Sequence, residues 1–167
     1  IASCLVGSEM CIRDRYEAVM DELEVVQILN EQYTGDEFPG YENVRLSYPL
    51  LKNIVDRQLP GWVDALRNQK AVYLITDTKT GKMYVGSATS QTGMLLQRWS
   101  SYAADGHGGN VELRELVKQQ GFNYVKENFQ YSILENYNAR MDDEYILKRE
   151  SWWKETLCTR THGYNKN

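Results

Sequence analysis

Ala71-Val72-Tyr73-Leu74-Ile75-Thr76, followed by Asp77-Thr78-Lys79-Thr80-Gly81-Lys82 and then Met83-Tyr84-Val85-Gly86, is the stretch that decides the fold. β-Branched and aromatic residues run through Val72 to Thr76 and again through Met83 to Val85. That composition suits strands, and the glycine-containing segment between them suits a turn. The stretch predicts a β-hairpin. With the turn centred between Thr78 and Lys79, antiparallel pairing sets Tyr73 opposite Tyr84, on one sheet face with their rings in contact. Taken alone, paired tyrosines are ordinary strand residues packing across a ladder. Any further role depends on the rest of the chain.

The chain has 167 residues, 42% of them hydrophobic and 11% aromatic, which is enough for one packed domain with an appendage. No window approaches the roughly 18 apolar residues that a bilayer span needs, so no membrane role is expected. Cys4, Cys11 and Cys158 show no metal-ligand spacing and cannot all pair within one chain. They favour a reducing, cytoplasmic location and argue against a zinc site. The formal net charge of -4 is unevenly spread: residues 1–69 carry six Lys and Arg against twelve Asp and Glu, and residues 70–167 carry thirteen against eleven. A polyanion would have to be met by local basic clusters rather than by a general positive field.

Ile1 to Arg15, with Cys4-Leu-Val-Gly-Ser-Glu-Met-Cys-Ile-Arg-Asp-Arg15, resembles a translated sequencing-adapter run found in metagenome-derived gene sequences. The expectation is that residues 1–15 are not native and that the native N-terminus is missing. From Tyr16 to Gln32, Val19, Met20, Leu23, Val26 and Ile28 or Leu29 recur near helical spacing. Two short helices are expected in residues 48–67, one carrying Leu50, Leu51, Ile54 and Val55 and the other Trp62, Val63 and Leu66. Their solvent faces lack clustered bases, so they read as a helical collar rather than a DNA-reading pair. After the hairpin come a helix from Gly93 to Tyr102, a second from about Asn110 to Gly121, a strand from Phe129 to Leu134 and a helix from Asp142 to Leu157. The order is a helical region followed by ββα(α)βα, an α+β fold.

Within the last helix, Ile146, Glu150, Trp153 and Leu157 share one stripe, which places a carboxylate among apolar positions. Burying it unpaired would cost several kcal/mol. An ion pair with Arg98 or Arg149 would relieve that cost, and so would a bound metal. Arg98 lies at the edge of the helix face marked by Leu95 and Trp99, with Tyr102 one turn further on. Its fixed fork of donors suits phosphate oxygens.

Taken in order, Ala71-Val72-Tyr73, Tyr84-Val85-Gly86, Arg98, Glu150-Ser-Trp-Trp-Lys-Glu155 and Gly163-Tyr164-Asn165 resemble the GIY-YIG nuclease family. The resemblance covers residues 70–167. It implies a small three-stranded antiparallel sheet flanked by helices, with residues 16–69 as an N-terminal helical extension. Tyr73 and Tyr84 match the tyrosines of the two motifs, Arg98 the helix arginine, Glu150 the metal-binding glutamate and Asn165 the late asparagine. Ala71 and Val72 replace the Gly and Ile of the first motif, and Val85 the Ile of the second. Where several members have a histidine one turn after the arginine, this chain has Tyr102, with His107 a little further on; either is a candidate for that role.

The resemblance implies metal-dependent hydrolysis of DNA phosphodiester bonds. Glu150 would hold one largely hydrated Mg²⁺ or Mn²⁺, and Arg98 would offset charge on the phosphoryl oxygens. Tyr84 is expected to handle the proton of the attacking water with Tyr73 assisting, helped by a cation that lowers a phenol's ordinary pKa of ~10. Asn165, which does not titrate, suits orienting a side chain or binding phosphate. A catalytically inactive DNA- or protein-binding module on the same fold is the alternative, and a plain structural domain is a third reading. The sequence carries no signal for the DNA target or the oligomeric state.

Overall fold

A computed structural model of the chain describes residues 37–166. The adapter-like run, its two cysteines and the helix expected from Tyr16 to Gln32 lie outside the described residues. The chain divides into two compact units, Ile1–Gly35 and Asp36–Asn167, and all described residues belong to the second.

The second unit is α+β. Four antiparallel strands, β1 (Arg45–Ser47), β2 (Gln69–Asp77), β3 (Met83–Ala88) and β4 (Phe129–Asn138), form one sheet in the order β1-β4-β2-β3. Helices α1 (Tyr48–Arg57) and α2 (Pro60–Arg67) each carry a proline in the first turn, where a missing N–H costs nothing. They precede β2. Between β3 and β4 run α3 (Met94–Asp105), α4 (Val111–Gln120) and α5 (Phe122–Asn128). The Asn110 side chain accepts from Leu113 N at 3.0 Å and fixes the start of α4. After β4 come α6 (Asp143–Thr156) and the short α7 (Thr159–His162).

The sheet separates two apolar layers. On one face Ala71, Tyr73, Ile75 and Tyr84 join Leu51 and Ile54 of α1, Trp62 and Leu66 of α2, and Leu95 and Trp99 of α3 in the main core. On the other, Val72 and Val85 pack with Ile146 of α6, bordered by Leu74, Trp153 and Leu157. The alternation along β2 and β3 is the two-residue period of a strand buried on both faces.

Three sequence expectations change here. The sheet has a fourth strand: Leu46 pairs with Tyr131, so β1 extends the sheet beyond β4. Residues 45–67 share the sheet and main core with residues 70–167, so the boundary drawn after residue 69 divides no core. The hairpin register also differs by two residues, with Tyr73 facing Gly86 and Ile75 facing Tyr84. An even shift preserves the face, so both tyrosines still lie on the same side, rings 6.5 Å apart and tilted by 50°.

Asp77 sets that register. Its Oδ1 accepts from the N–H groups of Lys79 and Thr80 at 3.0 and 3.2 Å, which folds residues 78–81 into a loop closed by Asp77 N to Lys82 O at 2.9 Å. Its Oδ2 accepts from Thr80 Oγ1, Tyr124 and Tyr164 at 2.7, 2.9 and 2.7 Å. Burial works to raise this carboxyl, but the hydrogen bonds from Tyr164, Thr80 and Tyr124 together hold it below the usual aspartate range. A lowered folded value means the stabilisation is complete above the unfolded value near ~3.9 and is lost as pH falls below it. Asp77→Asn should therefore lower unfolding stability by about 2 kcal/mol at pH 7 and less at pH 3. Urea unfolding at the two pH values checks this.

Candidate active site

Tyr73 is wholly buried, with its ring among Tyr84, Trp99 and Tyr102 at centroid distances of 6.5, 6.3 and 6.0 Å. Its hydroxyl lies 3.0 Å from that of Tyr102, and Arg98 Nε donates to it at 3.0 Å. Arg98 also donates through Nη2 to Tyr102 at 3.1 Å and through Nη1 to Gly108 O at 2.7 Å. Thus α3 delivers Arg98 and Tyr102 one turn apart, and the glycine-rich loop after it supplies the third acceptor. Arg98 is braced on three sides by this cluster. Burial works to lower its pKa, but Tyr73 and Tyr102 outweigh that and raise it, so the guanidinium stays charged.

Tyr73, expected to assist in proton handling, moves away from that role. Burial, the largest influence, drives Tyr73 well above its ordinary range, and Tyr84 adds to it; Arg98 and the Tyr102 hydrogen bond offset only part. Burial does the same to Tyr102. Both stay protonated at neutral pH, so the adjacent cation does not make a base of either. Tyr84 differs. It is 7% exposed, and its hydroxyl makes no hydrogen bond to a described residue.

Of the two candidates for the residue after Arg98, Tyr102 joins the cluster directly. His107 stands in the loop that presents Gly108 O to Arg98, and its Nδ1 accepts from Gly109 N at 3.0 Å. The same Nδ1 lies 3.5 Å from Asp105 Oδ2, so the ring edge stands between a backbone donor and a carboxylate.

Glu150 approaches from the other side of the sheet on α6. Ser87 Oγ donates to its Oε2, and Lys154 Nζ lies 2.8 Å from its Oε1. Neither arginine considered from the sequence is the partner. Arg98 is engaged as above, and Arg149 makes a forked contact with Glu135, whose carboxyl that hydrogen bonding lowers to about 2. The stripe itself is as expected, since Ile146 is buried beside Val72 and Val85.

The two halves meet at neighbouring residues of β3, an edge strand. The Tyr73 hydroxyl sits over Gly86, where an added Cβ would lie 2.5 Å from it, and Glu150 reaches Ser87. Among the described residues, no hydrogen bond or ion pair joins Glu150 to Arg98. Lys70 helps fix the second half: its Nζ contacts Asp143 Oδ1 at 2.7 Å and Met141 O at 2.6 Å, while Asp143 also accepts from Ser90 N. The start of α6 is thereby tied to β2 and to the loop after β3.

Asn165 has a different place from the one expected. Its Oδ1 accepts from Val85 N and its Nδ2 donates to Val85 O, both at 2.8 Å, while Tyr164 N donates to Met83 O at 2.8 Å. An added Cβ at Gly163 would stand 2.2 Å from Met83 O, so the close approach requires glycine. The Gly163-Tyr164-Asn165 run clamps β3, the edge strand among the described residues, and the buried amide of Asn165 has both its functions committed to backbone. The clamp stops at Val85, one pleat short of Ser87. Sequence reasoning missed Asp77, Ser87 and Lys154. The last was readable as an i, i+4 partner of Glu150.

Among the described residues, no group of three or more His, Cys, Asp or Glu could hold a metal ion. Glu150 is a single carboxylate with Ser87 Oγ on one oxygen and Lys154 Nζ on the other, a donor set that would leave a Mg²⁺ ion mostly hydrated. No helix among the described residues is long and apolar enough to cross a membrane.

No protein-family model matches the chain. The chain is 32% identical over 97 residues to intron-associated endonuclease 1 of Enterobacteria phage T4. The match covers 58% of the chain and 36% of the relative, so the chain spans about a third of the length of that curated protein. Two solved structures are also similar. One is a mutant of the catalytic domain of intron endonuclease I-TevI, at 27% identity and a TM-score of 0.46, covering 59% of this chain and 94% of that one. The other, the catalytic domain of homing endonuclease I-TevI, has a TM-score of 0.43 at 27% identity, covering 57% of this chain and 96% of that one.

Proposed function

We propose that the chain is a metal-dependent endonuclease of the GIY-YIG type that hydrolyses DNA phosphodiester bonds across the β3 edge at Gly86 and Ser87. The observation that carries the reading is the braced cluster of Arg98, Tyr73 and Tyr102 against Gly86, with Glu150 on the adjoining Ser87. The likeness to the phage endonuclease supports it.

Each residue has a part. Arg98, held in one orientation by three acceptors, meets charge that develops on the phosphoryl oxygens and needs no reorganisation to do so. Tyr73 and Tyr102, kept protonated by burial, hold Arg98 rather than accept protons. Tyr84 is the phenol left to face substrate. As the water oxygen bonds to phosphorus, Tyr84 takes the water's proton at its oxygen while releasing its own to solvent, and the bond to the leaving oxygen breaks. Glu150 would hold a Mg²⁺ or Mn²⁺ ion, which when bound would supply Lewis-acid stabilisation of the leaving oxygen. Asn165 acts on Tyr84 and Gly86 only through the backbone between them.

Supercoiled plasmid incubated with the protein and Mg²⁺ should be nicked or linearised, and chelation should stop it. Plasmid unchanged across several divalent metals and salt concentrations contradicts the reading. The Lys154 contact to Glu150 favours a second reading, an inactive DNA-binding module on the same fold. Salt-dependent retention of DNA without cleavage would identify it.

A further inference from the structure

Glu150 already has a cation. Lys154 Nζ lies 2.8 Å from its Oε1, and the two side chains are only 7% and 13% exposed, for lysine and glutamate respectively. Ser87 occupies the other oxygen. The order is also the favourable one on a helix, with the glutamate one turn N-terminal to the lysine. A pair this shielded is screened little by salt, and its attraction exceeds that of a surface pair.

An ammonium and a hydrated divalent ion are alternatives at one carboxylate oxygen. Both cannot contact it without their own repulsion, which the low exposure strengthens. Lysine carries its charge on a flexible four-carbon stem, so the head group can move while the stem stays packed. We propose that Lys154 competes with the divalent ion for Glu150: the ion binds as the ammonium is displaced, and Lys154 raises the metal concentration at which the site fills. The inference rests on the reading of Glu150 as the metal ligand.

The test is Mn²⁺ binding to the full chain without DNA, followed by calorimetry and by the electron paramagnetic resonance signal of free Mn²⁺. Lys154→Met keeps the apolar stem and removes the charge. It should lower the Kd for Mn²⁺ by about 10-fold or more, the scale of one lost buried charge contact. The gain should vanish when Glu150→Gln is added. An unchanged Kd in Lys154→Met, with binding still lost in Glu150→Gln, overturns the competition and leaves the metal-ligand reading intact. Binding indifferent to Glu150→Gln, or absent from both proteins, overturns that reading and the competition with it. Should Lys154→Met lose the native circular dichroism spectrum, Lys154→Gln must show the tightening in its place, and no tightening there overturns the competition.

Discussion

Arg98→Lys should lower single-turnover DNA cleavage by about 10³-fold, although it preserves the charge. The reason is geometric. Arg98 uses Nε, Nη1 and Nη2 at once, toward Tyr73, Gly108 O and Tyr102, and this fixes the plane in which the remaining donors meet a phosphate. A lysine ammonium is a point charge that cannot span three acceptors set around a planar fork. It would leave Gly108 O and two buried hydroxyls to share one nitrogen, at a cost of about 1–3 kcal/mol in stability. DNA affinity should change little, because the phosphate attraction follows the charge. Single-turnover rates at saturating protein, with urea unfolding and a DNA titration, separate the three effects. A rate within about 3-fold of wild type would mean that the fork is not what the reaction uses.

Gly86→Ala should destabilise the protein by about 2–3 kcal/mol and cut cleavage by at least about 10²-fold. The backbone at Gly86 does not lie in the left-handed region, so conformational freedom is not the reason for glycine. Space is. A Cβ there would stand 2.5 Å from the Tyr73 hydroxyl oxygen and 2.6 Å from Cζ. Tyr73 cannot retreat, since its ring is wholly buried among Tyr84, Trp99 and Tyr102. The methyl would push the hydroxyl off Arg98 Nε, and the guanidinium would follow. In a Tyr73→Leu background the clash is gone. The stability cost of Gly86→Ala should then shrink by at least about 1 kcal/mol in a double-mutant cycle. Equal costs in the two backgrounds would place the effect of the methyl elsewhere.

How much of this was legible depends on the range of the signal. The hairpin and the shared face of Tyr73 and Tyr84 follow from alternation along the two strands, and an even register shift leaves them intact. The register itself was not legible. It is set by one carboxylate, Asp77, whose partners Tyr124 and Tyr164 lie 47 and 87 residues away. Strand β1 is three residues long with one buried side chain, Leu46, too short to show a period. The stripe through Glu150 was readable from helical spacing, and so was the Arg98–Tyr102 spacing. The real partners of Glu150 divide: Lys154 is local, whereas Ser87 is 63 residues distant and comes only with the packing of α6 on β3. Asn165 shows the limit of residue type as a guide. An amide late in the chain suits phosphate, yet its actual partner is the backbone of an edge strand 80 residues earlier.

The most direct measurement of the central claim is Mg²⁺-dependent cleavage of supercoiled plasmid by wild type and by Glu150→Gln under single-turnover conditions, with folding and DNA affinity of both verified. Glu150→Gln keeps the shape and the Ser87 contact but removes the charge a metal needs. The account predicts loss of about 10³-fold or more in rate with DNA affinity little changed. Cleavage by Glu150→Gln within about 3-fold of wild type would contradict it.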